Sequence, residues 1–335
     1  MQAIFAVTVP FFALVLLGWL GARLRVLPES AIPGLNAYVL YFALPCMLFR
    51  FGSSLPLDRL ADPALIGIYL LSAIVVIGVT IAMTLRRRGG TNGVDLRDAA
   101  FGALVAAFPN AGFMGVPLLV ALLGDAAAGP VIGAIVVDLV VTSTVCLALA
   151  QGQAQRLAGS GVERSVWRGA LLALRGAASN PLPWSIAAGA AFAAAGLALP
   201  EPVAQIVRML GDSATPVALF TIGAVLFRAG QHVHTRTPLG HYLPVALVKL
   251  LLHPALIFGA GLAARALGAP VTPFGLMVLT LTAALPSASN VALLAERYGA
   301  DNGRITRIIM ASTVLAFATF SLCAGLFGIG EKGSH

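Results

Sequence analysis

Two interruptions of long apolar runs carry the residue types best suited to binding a small polar solute. The first, at 108–119, lies within an apolar run from about 99 to 123 and contains five helix-disturbing or polar residues: Pro109, Asn110, Gly112, Gly115 and Pro117. The second, at 286–290, contains four: Pro286, Ser287, Ser289 and Asn290. Proline removes a backbone donor and clashes with the preceding turn, so both runs are predicted to break as helices. At bilayer depth the freed backbone groups have to be buried in protein or line a polar cavity.

The side chains at the two breaks offer hydrogen bonds to a solute. Asn110 and Asn290 each carry an amide with two donors and an acceptor, which suits a carboxylate or an ion, and Ser287 and Ser289 add hydroxyls. Half-helices that begin near Ser287 and near Gly115 would direct their positive ends toward the breaks and attract anions. The alternative is that these side chains only cap the half-helices or bond back to the backbone. A pair of broken helices in corresponding positions is the pattern that indicates a transporter binding site.

Glycines at the first break have a second use. Gly112 and Gly115 are predicted to let the two broken helices cross closely, with ordinary packing of small residues as the alternative. In either case a bulky replacement is expected to be damaging.

Three ionisable residues fall inside apolar runs away from the breaks. Asp138 lies in the middle of the fifth run, and Lys249 and His253, spaced i and i+4, share one face of the eighth. An intramembrane carboxylate is costly and marks a functional site by default, so Asp138 is predicted to pair with Lys249, with Thr142 on the same polar face. The pattern leaves open a proton- or cation-coupling site, a structural ion pair, and a Lys249 that snorkels to the interface.

Composition places the chain in a lipid bilayer and excludes several functions. Of 335 residues, 59% are hydrophobic and 10% charged, which indicates a polytopic all-α membrane protein. The net charge of +8 comes from residues between apolar runs and forms no continuous basic face, so nucleic acid is not a predicted partner. The three cysteines are far apart, no Walker A string is present, and no pair of facing intramembrane aspartates is apparent. No enzyme, metal site or cofactor is therefore predicted, apart from H⁺ or Na⁺ as a coupling ion.

The apolar runs number ten and divide into two sets of five. They lie at about 2–22, 31–51, 63–85, 99–123, 127–150, 181–199, 203–228, 241–265, 272–296 and 304–328. The predicted units are a first repeat at 1–150, a cytoplasmic connecting loop at 151–180, a second repeat at 181–330 and a tail or cloning scar at 331–335. Fifteen of the 21 Lys and Arg residues lie in loops 1–2, 3–4, 5–6, 7–8 and 9–10, five lie on the opposite side, and Lys249 is inside a span. The asymmetry predicts that both termini lie outside the cytoplasm. Arg208 and Asp212, near the start of the seventh span, are predicted to pair.

An odd number of spans in each half requires the halves to have opposite orientations, so similarity between them would be an inverted repeat. Pro45 precedes Phe49 by four residues in the second span, and Pro216 precedes Phe220 by four in the seventh. Together with the breaks in spans 4 and 9, this spacing predicts two inverted five-helix repeats.

These motifs resemble those of the auxin efflux carrier family. The resemblance lies in the string Asn110-x-Gly112-x-x-Gly115-x-Pro117, in Leu44-Pro45, and in Pro286-x-x-x-Asn290 followed by Glu296-Arg297-Tyr298-Gly299. It covers the whole chain. It implies ten spans, with broken helices 4 and 9 crossing at mid-membrane and a mobile bundle that moves against a scaffold of helices 1, 2, 6 and 7. It also implies small organic anions as substrates and a homodimer through helices 1, 2 and 7.

The residues and the resemblance together predict a secondary transporter. Its expected substrate is a mono- or dicarboxylate, moved across a bacterial inner membrane by elevator-type alternating access, as proton or sodium symport. The alternatives are an uncoupled uniporter or channel-like facilitator of a carboxylate and, less favoured, an intramembrane enzyme.

Overall fold

A computed structural model describes residues 2–54, 62–86, 94–157, 171, 175, 178–231 and 237–329. The described chain is helical. In chain order its helices are α1 (Gln2–Arg23), α2 (Ala31–Ser54), α3 (Pro63–Arg86), α4 (Leu96–Ala107), α5 (Ala111–Leu123), α6 (Asp125–Gln151), α7 (Pro181–Ala194), α8 (Glu201–Gln231), α9 (Leu239–Ala266), α10 (Pro273–Ala284), α11 (Asn290–Arg297) and α12 (Asn302–Leu326). Helical turns continue beyond α6 to Leu157. Most of the predicted connecting loop, at 158–170, 172–174 and 176–177, lies outside the described residues, as does the predicted tail at 331–335.

Helix length and composition confirm a polytopic membrane protein. Among the described residues six helices, namely α2, α3, α6, α8, α9 and α12, are long and apolar enough to cross a bilayer. Shorter apolar helices cover Thr8–Arg23, Ala111–Leu123 and Pro273–Ala284. The short ones include α5 and α10, which flank the predicted breaks.

Polar side chains fix where several helices begin. Asp95 Oδ1 accepts a hydrogen bond from the Asp98 amide (2.7 Å) and starts α4, and Asn180 does the same for α7 with Leu182 (3.0 Å). Thr272 caps α10 through the Gly275 amide (3.1 Å). Such caps satisfy amides that have no partner within the helix.

Three long helices each contain one π-helical turn. The turns lie at Val39–Ala43 in α2, at Asp138–Thr142 in α6 and at Val248–Leu252 in α9. Wider turns of this kind are frequent at functional sites. Two of the three contain the intramembrane ionisable residues Asp138 and Lys249.

Glycines allow two pairs of helices to touch backbone to backbone. In the contact of α1 with α8, a Cβ added at Gly18 would lie 1.8 Å from the Phe220 carbonyl oxygen, and one at Gly223 would lie 1.8 Å from the Val15 oxygen. In the contact of α2 with α7, a Cβ at Gly189 would lie 2.3 Å from the Phe49 oxygen, and one at Gly52 would lie 2.6 Å from the Ile186 oxygen. Small residues at such positions are typical of membrane helix packing.

The helices before the breaks are surrounded by protein. Residues 99–107 of α4 are all buried, and so are residues 278–284 of α10. A membrane helix that is buried all round is shielded from lipid by its neighbours. The two breaks therefore lie inside the helical assembly, as freed backbone groups require.

Arg304 is buried at the start of α12. Its Nε donates to the His241 carbonyl (2.9 Å), its Nη1 to the Asp98 carbonyl (3.0 Å) and its Nη2 to Thr84 Oγ1 (3.3 Å). These bonds join the ends of α3, α4, α9 and α12.

The ion pairs near the start of α8 differ from the predicted one. Asp212 binds Arg50 of α2 at 2.6 Å, and Arg208 binds Glu201. The predicted Arg208–Asp212 pair is wrong because Arg50, distant in sequence, is brought beside Asp212 by the packing of α2 on α8.

We expect Gly223→Ala to destabilise the purified protein by about 1–3 kcal/mol, since a Cβ there overlaps a backbone oxygen that cannot move alone. The control is Gly78→Ala in α3, where a Cβ has nothing within 4 Å. It should match or slightly exceed the wild-type melting temperature, because alanine favours a helix over glycine. A Gly223→Ala protein that melts at or above the wild-type temperature would contradict this packing.

Candidate functional site

The two predicted breaks meet and bind each other through their backbones. α4 ends at Ala107 and α10 ends at Ala284, and the residues that follow are extended. The backbone N–H of Asn110 donates to the Pro286 carbonyl (2.8 Å), and the backbone N–H of Ala288 donates to the Phe108 carbonyl (3.0 Å). Pro109 and Ser287 thus face each other in an antiparallel bridge. Each break therefore supplies a hydrogen-bond partner for a backbone group that the other break leaves unpaired.

Residues 108–110 and 285–289 thus form one site, which we call the crossing. The helices that resume after the breaks, α5 and α11, begin there. The Asn110 carbonyl accepts from the Met114 and Gly115 amides (3.0 and 3.1 Å), which starts α5 with a wide turn at Ala111–Gly115. Pro117 follows at the start of the regular α-helical turns, a position that proline favours. α11 begins at Asn290. Both helices therefore direct the positive ends of their dipoles toward the crossing.

Several polar side chains at the crossing are buried, and some of their hydrogen-bonding atoms have no partner among the described residues. Asn110 is 3% exposed and Ser287 is 1% exposed. Ser287 Oγ and Asn290 Oδ1 are buried without a hydrogen-bond partner. Asn110 and Ser289 occupy N-cap positions, yet neither side chain makes a capping bond. The capping alternative thus does not account for these side chains, and buried polar groups without partners are costly unless something binds them.

The two glycines of the first break have different surroundings. A Cβ at Gly115 would lie 2.8 Å from Leu285 Cδ1 of the other break and 3.4 Å from Val131 Cγ1. A Cβ at Gly112 would meet only Leu182 Cδ1, at 3.9 Å. The predicted close approach of the two breaks therefore involves Gly115, whereas Gly112 has room for a methyl group.

A second polar cluster surrounds Asp138, which is fully buried. Tyr69 of α3 donates its hydroxyl to Asp138 Oδ2 (2.7 Å), and Thr142 donates to Oδ1 (3.0 Å). Ser143 donates to the Asp138 carbonyl (2.8 Å). Thr142 shares the polar face as predicted, because positions four apart are neighbours on a helix.

Lys249 is also fully buried, so it does not snorkel to an interface. Its Nζ donates to the Ala283 carbonyl at 2.5 Å and lies 3.5 Å from His253 Nδ1. Within the described residues it forms no ion pair with Asp138 within 4.0 Å, so the predicted direct pair is wrong. The lysine is drawn instead to a carbonyl at the C-terminus of α10, where a cation is favourable.

Tyr69 connects Asp138 with the pair formed by Lys249 and His253. It was not identified from the sequence. Its ring centroid lies 5.7 Å from that of His253, while its hydroxyl binds Asp138. His253 Nε2 is buried without a partner. A tyrosine within an apolar run is a weak signal, although a buried hydroxyl does require a partner. Asp138, Tyr69, His253 and Lys249 thus form one chain of contacts that ends at Ala283, two residues before Leu285 in the second break.

Ser312 of α12 supports the crossing and was likewise missed. Its hydroxyl oxygen accepts from the Ser287 amide (3.1 Å) and its hydroxyl donates to the Ile309 carbonyl (2.9 Å). The second break is thereby held by the first break on one side and by α12 on the other.

Comparison with known proteins finds relatives along nearly the whole chain. The sequence profile of the family described as "Membrane transport protein" matches residues 3–324. A Rhizobium meliloti (strain 1021) protein named "Putative malonate transporter" is 30% identical over 325 residues, covering 95% of this chain and 94% of the relative. "Auxin efflux carrier component 8" of Arabidopsis thaliana is 24% identical over 351 residues, covering 93% and 94%. An "Uncharacterized transporter" of Methanothermobacter thermautotrophicus is 28% identical over 314 residues, covering 92% and 93%.

We expect Gly115→Ala to disturb the crossing and Gly112→Ala to leave it intact. The Gly115 methyl group has to displace the buried Leu285 side chain, at a cost of about 1–3 kcal/mol in stability. The Gly112 methyl group makes only ordinary contacts, so the change should stay within about 0.5 kcal/mol. Thermal unfolding of the two purified variants checks this, and equal melting temperatures would contradict the asymmetry.

Proposed function

The chain belongs to the membrane transport protein family and is a transporter, not an enzyme, and from that premise we propose that it is a secondary transporter of a small organic anion, a mono- or dicarboxylate. Family membership confirms the resemblance to the auxin efflux carriers that the break motifs predicted. The name of the Rhizobium meliloti relative supports malonate as the first substrate to test.

The observation that carries this proposal is the set of unused polar groups at the crossing. Within the described part of the chain Ser287 Oγ and Asn290 Oδ1 have no hydrogen-bond partner, although both atoms are buried. The amide of Asn290 can present either its oxygen or its nitrogen by rotation about its last bond. With Asn110 opposite and two helix N-termini directed at the same place, these groups suit a carboxylate that needs no buried arginine. We assign substrate binding to Asn110, Ser287, Ser289 and Asn290, held in place by the backbone at Pro109, Gly112, Gly115, Pro117 and Pro286.

We propose that the two halves are inverted repeats and that transport proceeds by an elevator-type movement. The glycine contacts support the repeat, because the pair Gly18–Phe220 in α1 and α8 reappears as Gly189–Phe49 in α7 and α2. Each residue of one pair lies 171 positions from its counterpart in the other. In this proposal α1, α2, α7 and α8 form the scaffold, and the remaining helices form a bundle that carries the crossing from one membrane face to the other.

Coupling to H⁺ or Na⁺ is assigned to Asp138, Lys249 and His253. The supporting geometry is the chain of contacts from Asp138 through Tyr69 and His253 to Lys249, which binds the Ala283 carbonyl beside the second break. A change in protonation or ion occupancy at Asp138 would alter the hydrogen bonds of Tyr69 and Thr142. That change would reach the crossing through α9 and α10.

The remaining assignments concern the setting of the protein. We place it in a bacterial inner membrane with both termini outside the cytoplasm, following the distribution of Lys and Arg between the loops. We further propose a homodimer through α1, α2 and α8, the helices that correspond to spans 1, 2 and 7.

We expect proteoliposomes loaded with unlabelled malonate to take up labelled malonate by counterflow, with saturation. Asn110→Ala and Asn290→Ala should each raise KM about tenfold, since a hydrogen bond to a charged group is worth roughly 1.5–3 kcal/mol. Asn36→Ala, at a half-buried position of α2, is the matched control and should leave KM unchanged. Absence of counterflow with every mono- and dicarboxylate tested would reject the function, and unchanged KM in both variants would reject the site.

We expect Asp138→Asn to abolish accumulation of malonate driven by an imposed H⁺ or Na⁺ gradient while exchange stays within about twofold, because amide and acid differ in charge but little in shape. Glu201→Gln removes an exposed carboxylate and should keep both activities. Gradient-driven accumulation that survives in Asp138→Asn would favour the uncoupled uniporter or facilitator and would make the Asp138 cluster structural.

A further inference from the structure

A cavity of about 550 Å³ lies between α1, α2, α5 and α8, outside the crossing itself. Most of its wall is apolar, as at Phe51 and Val120, and three charged residues, Arg50, Asp125 and Asp212, complete it. Pro117, which begins the regular turns of α5 just after the crossing, also lines it. The cavity therefore adjoins the helix that starts at the crossing, and its volume suits a small carboxylate.

Arg50 is the cation of this wall, and its hydrogen-bonding capacity is mostly unused. Its Nη1 donates to Asp212 Oδ1 at 2.6 Å, and its side chain remains 42% exposed. In the described part of the chain this is the one hydrogen bond of its guanidinium. A guanidinium has five N–H donors in a planar fork that matches a carboxylate. Donors thus remain for an anion in the cavity.

Close packing of two backbones sets the position of the pair. A Cβ added at Gly211 would lie 3.2 Å from the Met47 amide nitrogen and 3.4 Å from Arg50 Nη1. α8 therefore approaches α2 closely just before Asp212, and that approach brings the carboxylate beside Arg50. Both helices belong to the proposed scaffold, so the pair would stay in place while α5 moves.

We propose that Arg50 is a second carboxylate-binding residue, which receives the anionic substrate in this cavity before it reaches the crossing. The substrate carboxylate replaces Asp212 as the partner of the guanidinium. This proposal rests on the proposed function for the nature of the substrate. A bidentate Arg–carboxylate contact orients the ligand.

The two carboxylates of the wall oppose the entry of an anion. Asp212 competes with the substrate for Arg50. Asp125 is exposed and lines the same space. Neutralising either one should therefore strengthen substrate binding, whereas neutralising Arg50 should weaken it. A purely structural ion pair predicts otherwise, because loss of either partner would then have the same sign.

Malonate counterflow measured for four variants tests this directly. Arg50→Gln should raise KM about tenfold with the maximal rate within twofold of the wild type. Asp212→Asn and Asp125→Asn should each lower KM about two- to threefold. Arg50→Lys, which keeps the charge but loses the fork, should fall between wild type and Arg50→Gln. Melting temperatures of all variants control for folding.

The outcomes separate this inference from the function on which it rests. Counterflow in the wild type that is sensitive to Asn110→Ala, with KM unchanged in Arg50→Gln, would overturn the role of Arg50 and leave the transporter proposal standing. If Asp212→Asn raises KM as Arg50→Gln does, the role of Arg50 is also overturned and the transporter proposal stands, because a purely structural ion pair predicts that result. No counterflow in the wild type with any carboxylate would overturn both.

Discussion

The two hydrogen bonds exchanged between the chain breaks are the interaction on which the rest of the structure depends. Residues 108–110 and 285–289 leave helical geometry inside an apolar assembly, where unpaired backbone groups are expensive. The Asn110 amide and the Phe108 carbonyl find partners in Pro286 and Ala288 of the other break. Neither break could persist alone, so α4 and α10 must end at the same place. The two breaks lie together because each supplies the backbone hydrogen-bond partners that the other lacks.

The need to satisfy polar groups also connects the crossing to the second polar cluster. α10 ends at Ala284 and leaves carbonyls without helical partners. Lys249 binds one of them, at Ala283. In the described part of the chain Lys249 and Asp138 form no direct ion pair, and a chain of contacts through His253 and Tyr69 connects them. The proposed coupling site could therefore influence the proposed substrate site without sharing a ligand with it.

Local features of the fold could be predicted from the sequence, and features set by tertiary packing could not. Proline stereochemistry predicts the breaks, and the four-residue spacing predicts the contact of Thr142 with Asp138. The role of Tyr69 could not be predicted because its partner, Asp138, lies 69 positions away on α6. Which side chains of two such helices face each other is determined by tertiary packing. The Arg50–Asp212 pair joins residues 162 apart for the same reason. Burial of Arg304 likewise depends on two carbonyls and one hydroxyl from three other segments.

Binding of a carboxylate at the crossing is the central claim, and thermal unfolding of the detergent-purified protein tests it most directly. A ligand that binds only the folded state raises the melting temperature in proportion to the logarithm of its concentration. With malonate at about ten times the wild-type Kd, we expect a rise for the wild type that shrinks by more than half in both Asn110→Ala and Asn290→Ala. A rise of equal size in all three proteins would contradict it, because malonate would then bind elsewhere.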